Sequence, residues 1–275
     1  MAPVAPGRAL VSGSPMLPFI SVSEAIGRPG LRLVLSAGRP GVSPSVPGPW
    51  GQSAKALFDI KGVPYIPVAQ IRAIKDDALR HWTGQDSAPV AMYENERPRT
   101  RWYEILQLAE RLAPEPRLLP GDESVRAEMM GLAHSLLGED GLAWNVRLIL
   151  LKSQEHLTDE ASLIWRARYG DATRSADDAA ARVRNILQHL SAKFRENAAL
   201  GGDHLVGDRL TALDIFWACT STLVAPFPEA YCPMPDFYRK FSERVGRLVG
   251  EALDPALIEH RERIIADHFP LPMQF

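Results

Sequence analysis

Three arginines open a predicted helix at Arg97-Pro98-Arg99-Thr100-Arg101-Trp102. Positive charge at a helix start opposes the helix dipole, so the cluster asks for a reason. One reason is an anionic ligand, because guanidinium forks suit carboxylates and phosphates. The other is a solvated surface shared with Glu94, Glu96 and Glu104, where exposed pairs contribute little. The only thiols are Cys219 and Cys232, and neither has a CxxC neighbour. They read as core thiols kept reduced. The seven histidines show no HExxH or other metal spacing, so no metal is expected. Ser36–Gly48 is rich in glycine and proline but lacks the order of a phosphate-binding loop.

These residues must be held by a sizeable scaffold. A chain of 275 residues predicts about two domains. Its 46% apolar and 23% charged content is enough for a core without disulfide or metal staples. A net charge of −2 excludes nucleic acid as a bulk partner. No apolar run is long enough to span a membrane. The N-terminus is interrupted by Pro3, Pro6, Gly7, Gly13, Pro15 and Pro18, unlike a secretory signal. A cytoplasmic protein is therefore expected. The first fifty residues hold nine prolines and seven glycines, which predicts irregular chain there.

Residues 1–30 read as a proline- and glycine-rich arm. Leu31–Leu35 is an apolar run with strand length. Pro49 suits the first position of a helix, Ala54, Leu57 and Phe58 give it a buried face, and Gly62 stops it. Val63–Val68 is extended, and its prolines suggest an edge. Ala88–Tyr93 is another strand, and Ile105, Leu108, Ala109 and Leu112 mark an amphipathic helix. Residues 31–113 thus form an α/β unit, 114–122 a linker, and 123–275 an all-helical unit. Its helices are predicted over Val125–Leu137, Trp144–His156, Glu160–Tyr169, Ala176–Asn197, Thr211–Leu223, Phe237–Val249 and Pro255–Ala266.

In this order the elements and three short strings resemble the glutathione transferase superfamily. The strings are Gly48–Tyr65 (GPWGQSAKALFDIKGVPY), Ala88-Pro89-Val90, and Leu205–Ala218 (LVGDRLTALDIFWA). The resemblance implies an α/β thioredoxin-like N-terminal domain followed by an all-α C-terminal helical-bundle domain. It implies a cis Pro89, with the backbone of Ala88 pairing with the cysteinyl part of glutathione as an added strand. It also implies a structural N-cap. Thr211 would bond the N–H of Asp214, and the Asp214 carboxylate would reach back to the N–H of Thr211.

The active-site strings depart from those relatives. The first helix opens on Gly48-Pro49-Trp50-Gly51, where cysteine-type members carry a thiol. No tyrosine lies between Leu31 and Pro64; the hydroxyls there are Ser36, Ser43, Ser45 and Ser53. Ser45 precedes the helix and is the candidate catalytic donor to a glutathione sulfur; the alternative is an ordinary turn serine. The N–H groups of Trp50 and Gly51 are candidate donors to the same thiolate, and the Trp50 ring a wall of the site. Where relatives hold the γ-glutamyl end with an acidic residue and a serine, this chain offers Thr100 and Arg101. Trp144 and Trp165 lie on helices that would flank the electrophile pocket between the domains, unless they only pack the core.

Two readings follow. The first is an enzyme that binds glutathione, or a related anionic thiol, as co-substrate and promotes its attack on an apolar electrophile. The second is a non-catalytic ligand-binding or scaffold protein on the same fold. In both, a homodimer is what the resemblance implies.

Overall fold

The computed structural model describes residues 17–39 and 43–275. Residues 1–16 of the expected arm lie outside them. The arm's remainder is built rather than irregular. Ile20 donates to the carbonyl of Pro67 at 3.0 Å and accepts from the N–H of Ala69 at 3.0 Å. A short helix α1 (Val22–Ala25) follows, its Ser21 N-cap reciprocated by the Glu24 carboxylate.

The strands are β1 (Leu31–Ala37), β2 (Ile66–Ile71) and β3 (Val90–Tyr93), in the order β2-β1-β3. β1 pairs with β2 in parallel, Leu33 opposite Pro67, and with β3 antiparallel, Leu33 opposite Ala91. A fourth strand is reduced to one antiparallel bridge, Ala91 to Arg99. Pro67 sits where its missing N–H does no harm. Its carbonyl points outward to Ile20, so its nitrogen does too, and the pairing with β1 loses no donor.

Side chains alternate across this sheet as period two requires. Leu31, Leu33 and Leu35 face the large core, with α2 (Pro49–Ile60) and α4 (Trp102–Leu112). Val34, Val68 and Val90 face a smaller one, closed by Val22 of α1 and Leu79 of α3 (Asp77–Thr83). Gly62, at φ +65°, and Gly84, at φ +81°, end α2 and α3 in the left-handed conformation that glycine tolerates.

The rest is helical: α5 (Glu123–Leu137), α6 (Leu142–Ser153), α7 (Glu160–Tyr169), α8 (Ala176–Ala199), α9 (Ala212–Ser221), α10 (Asp236–Val249) and α11 (Pro255–His268). The architecture is the α/β layer plus helical bundle that the sequence predicted. No described helix is long and apolar enough to cross a membrane.

Every residue of α9 is buried, and it packs on α2, α5 and α11. A helix that starts inside a core cannot leave its first N–H groups to water. The Asp214 carboxylate meets this need. It accepts the N–H and hydroxyl of Thr211 at 2.8 and 2.9 Å, the N–H of Leu205 at 2.8 Å, and lies 2.9 Å from Nε2 of His260. Burial alone pushes this carboxyl up. The bonds from His260, Leu205 and Thr211 outweigh it and hold the group below its ordinary 3.8.

This carboxylate's contribution to stability is therefore complete above pH 3.8 and is lost as pH falls toward the depressed folded value. Asp214→Ala strands buried donors at about 1–3 kcal/mol each. In urea denaturation near neutral pH it should cost at least about 3 kcal/mol, with the gap to the unsubstituted protein narrowing below pH 3.8. A gap that widened on acidification would contradict this account.

Candidate functional site

A cleft of about 140 Å³ opens between the sheet and the helical bundle. One wall is Leu35 and Ser36 of β1, Gln70 of β2, and Ala88. Its floor is Gly48–Gln52, the start of α2. Opposite stand Val146, Arg147 and Leu150 of α6, Trp165, Arg168 and Tyr169 of α7, and Tyr238 and Phe241 of α10.

α2 begins without a side-chain cap: Gly48 is its N-cap and Pro49 its first residue. The N–H groups of Trp50 and Gly51 accordingly have no partner among the described residues. Two free donors and the positive end of a helix thus meet at the cleft. In the same cleft the Ala88–Pro89 peptide is cis. Neither the N–H nor the carbonyl of Ala88 has a partner among the described residues, so an extended ligand has a backbone edge to pair with.

Trp50 is pinned. Its indole N–H donates across the halves to the carbonyl of Leu137 at 2.7 Å. Its ring walls the cleft and also a neighbouring recess of about 30 Å³, shared with Pro89 and Thr100.

The remaining candidates are placed as follows. Ser45 accepts the N–H of Gly38 at 2.9 Å, closing its own loop, and does not line the cleft. The serine that does is Ser36, which has no side-chain partner among the described residues. Thr100 reaches the recess, whereas Arg101 is exposed and lines neither cavity. Trp165 lines the cleft; Trp144 stands behind, edge-on to Tyr169 at 6.2 Å.

The arginine cluster is largely consumed by its acidic neighbours. Arg97 pairs with Glu104 at 2.7 Å, and Arg99 and Arg111 pair with Glu96 at 2.6 Å. Glu104 also accepts the N–H groups of Thr100 and Arg101, at 3.1 and 3.2 Å. It caps α4, relieving a start that the arginines would oppose. Partial burial pushes Glu104 up, and its bonds from Arg97, Thr100 and Arg101 bring it below the ordinary carboxylate range. Glu96 is held low by the bond from Arg111 first.

Two histidines do converge, with His204 and His260 beside Asp214. Both Asp214 oxygens already accept N–H groups of α9's entry, so the cluster serves the cap. Cys219 and Cys232 are free and buried, and burial pushes both thiols up to about 12. They stay protonated and inert.

Arg147 is what sequence reading missed. Burial pushes its guanidinium down to about 10, and it remains a cation at neutral pH. The signal was present: Leu142–Leu151 reads LAWNVRLILL, with Arg147 its only charge.

No protein-family model matches the chain, and no curated protein sequence does. Solved structures do. A beta-etherase, LigF, from Sphingobium sp. strain SYK-6 superposes with a TM-score of 0.61 at 18% identity, over 89% of this chain and 97% of the other. A glutathione transferase family member from Pseudomonas fluorescens pf-5, solved with two glutathione bound, gives 0.58 at 15% identity over 89% and 93%. The chain has the glutathione transferase fold. The tau class glutathione S-transferase of mango, Mangifera indica, gives 0.56 at 20% over 86% and 89%. In this fold the cleft described above lies between the thioredoxin-like domain and the helical bundle.

Trp50→Phe keeps a ring beside Arg147 but deletes the bond to Leu137. Urea denaturation should report a loss of about 1 kcal/mol; an unchanged midpoint would mean that this bond between the halves contributes nothing.

Proposed function

We propose that the protein is a glutathione transferase-like enzyme. It binds glutathione or a related anionic thiol against Ala88 and the start of α2, and promotes its attack on an electrophile held in the cleft. The observation that carries this reading is that the unpaired backbone of Ala88 and the free N–H groups of Trp50 and Gly51 line one cleft. The first can hold a thiol peptide in extended form. The second favour the thiolate over the thiol. No serine adds a third donor: the Ser45 hydroxyl closes its own loop, and Ser36 shares the sheet face of Val34, away from α2. Holding both reactants in one cleft makes the attack effectively unimolecular.

The second reading, a non-catalytic binding protein, is favoured by one feature. No carboxylate of Glu96 or Glu104 is free at the start of α4 to receive an amino group, because both are engaged by arginines. In either reading the protein is cytoplasmic and a homodimer, which sedimentation would report as twice the 30.4 kDa chain.

Glutathione titrated into the protein should bind saturably. Followed by thiolate absorbance, the bound thiol should ionise at least about one pH unit below the ~8.5 of a free cysteine. The donors are main-chain N–H groups, so Ser45→Ala should leave that midpoint unchanged; a midpoint that rose would return the hydroxyl to the site. Absence of saturable binding removes the thiol reading. Binding with an unshifted midpoint and no rate with an aromatic electrophile leaves the second.

A further inference from the structure

Arg147 projects from α6 into the cleft, and its surroundings are unusual for a half-buried cation. Its guanidinium carbon lies 4.0 Å from the ring centroid of Trp50 and 4.1 Å from that of Tyr169, with Trp144 at 5.3 Å. Two aromatic rings thus pack on the cation. Its N–H groups have no hydrogen-bond acceptor and no ion-pair partner among the described residues.

A guanidinium group withdrawn from water is ordinarily paired. Aromatic faces offset part of the cost of removing the charge from water, but they accept no N–H. The cleft supplies no counter-charge either: no aspartate or glutamate is among its described lining residues. Two other arginines reach it. Arg168 pairs with Asp86 at 2.7 Å, a carboxylate that it shares with Arg80. Arg72 donates to the carbonyl of Pro44 and has no carboxylate. Two positive charges therefore stand uncompensated in a pocket whose other walls are Val146, Leu150, Trp165 and Phe241.

We propose that this pocket is a receptor for aromatic carboxylic acids. The carboxylate takes the N–H edge of Arg147 in a two-point fork. The ring lies against Trp165 and Phe241. The second substrate of the thiol reaction is accordingly an anionic aromatic molecule rather than a purely apolar one. The assignment of that molecule as substrate rests on the thiol-transfer reading; its binding does not. A carboxylate of the thiol peptide has the same chemistry. Arg147 and Tyr169 belong to the helical half with Trp165 and Phe241, which favours the second substrate; Trp50, at the proposed thiol site, is the ring nearest the cation, so experiment must separate the two carboxylate sources.

Calorimetry without any thiol tests this. trans-Cinnamate should bind at least tenfold more tightly than the isosteric neutral cinnamamide. Arg147→Met, which keeps an unbranched apolar stem, should abolish the difference, and Arg147→Lys should retain part of it. Equal binding of acid and amide, no binding of either, or a preference that survives Arg147→Met overturns the proposal. The acid–amide comparison in the unsubstituted protein stands even if Arg147→Met fails to fold. A parallel titration with glutathione separates the two carboxylate sources. If Arg147→Met weakens glutathione tenfold and leaves cinnamate unchanged, the guanidinium serves the thiol peptide and the proposal fails. Failure of glutathione to bind at all removes the thiol reading and leaves the carboxylate receptor standing.

Discussion

The Asp214 carboxylate has no exposed surface and collects the donors that α9 would otherwise strand. An unpaired buried charge is among the costliest arrangements a core can contain, so the loop from Leu205 to Thr211 and the ring of His260 must all be in place together. α9 in turn is the piece against which α2, α5 and α11 pack, and the indole of Trp217 ties it to the carbonyl of Leu257 at 2.9 Å. Through α2 the same constraint reaches the cleft, because the N-terminus of that helix forms its floor. A hydrogen-bonding requirement deep in the helical half thereby sets where free N–H groups meet solvent.

Trp50 joins the two halves at that floor. Its N–H is spent on Leu137, which fixes the ring, and the fixed ring packs on Arg147. The carbonyl of Leu137 is one of the unsatisfied acceptors at the end of α5, so one contact serves a helix end and orients an aromatic wall. The cleft that results is mixed in character. Free backbone donors lie on its α/β side, and a cation sheathed in aromatic rings lies on its helical side. Negative charge is absent from its described lining, although the chain as a whole carries a net charge of −2.

Much of this frame is readable from local pattern. Alternating leucines mark β1, Pro49 and Gly62 bound α2, and the Thr211–Asp214 spacing marks α9. Each is a short-range rule: side-chain period, a missing N–H, a cap three residues away. Residues 17–30 read as irregular because breakers crowd them, yet they hold a helix and a sheet partner. Ser21 and Glu24 carry a capping signal of the same kind, and Ile20 becomes a sheet partner only once β2 is beside it. The serines show the limit more sharply. Composition placed Ser36 and Ser45 in one loop region, and only strand pairing puts Ser36 on the cleft wall while Ser45 closes on Gly38.

The sequence by itself determined the two-part architecture, the entry to α9 and the absence of a thiol at the start of α2, since all three are encoded within a few residues of chain. Tertiary structure alone decided which charges are free. Arg97, Arg99 and Arg101 drew attention as a cluster, yet the first two are matched by Glu104 and Glu96 and the third faces solvent. Arg147, the one charge in the apolar run Leu142–Leu151, lines the cleft with no counter-ion among the described residues. The reason is physical. The local reach of charge and hydrophobicity is legible along the chain, but whether a cation is neutralised depends on what the fold brings within about 4 Å of it.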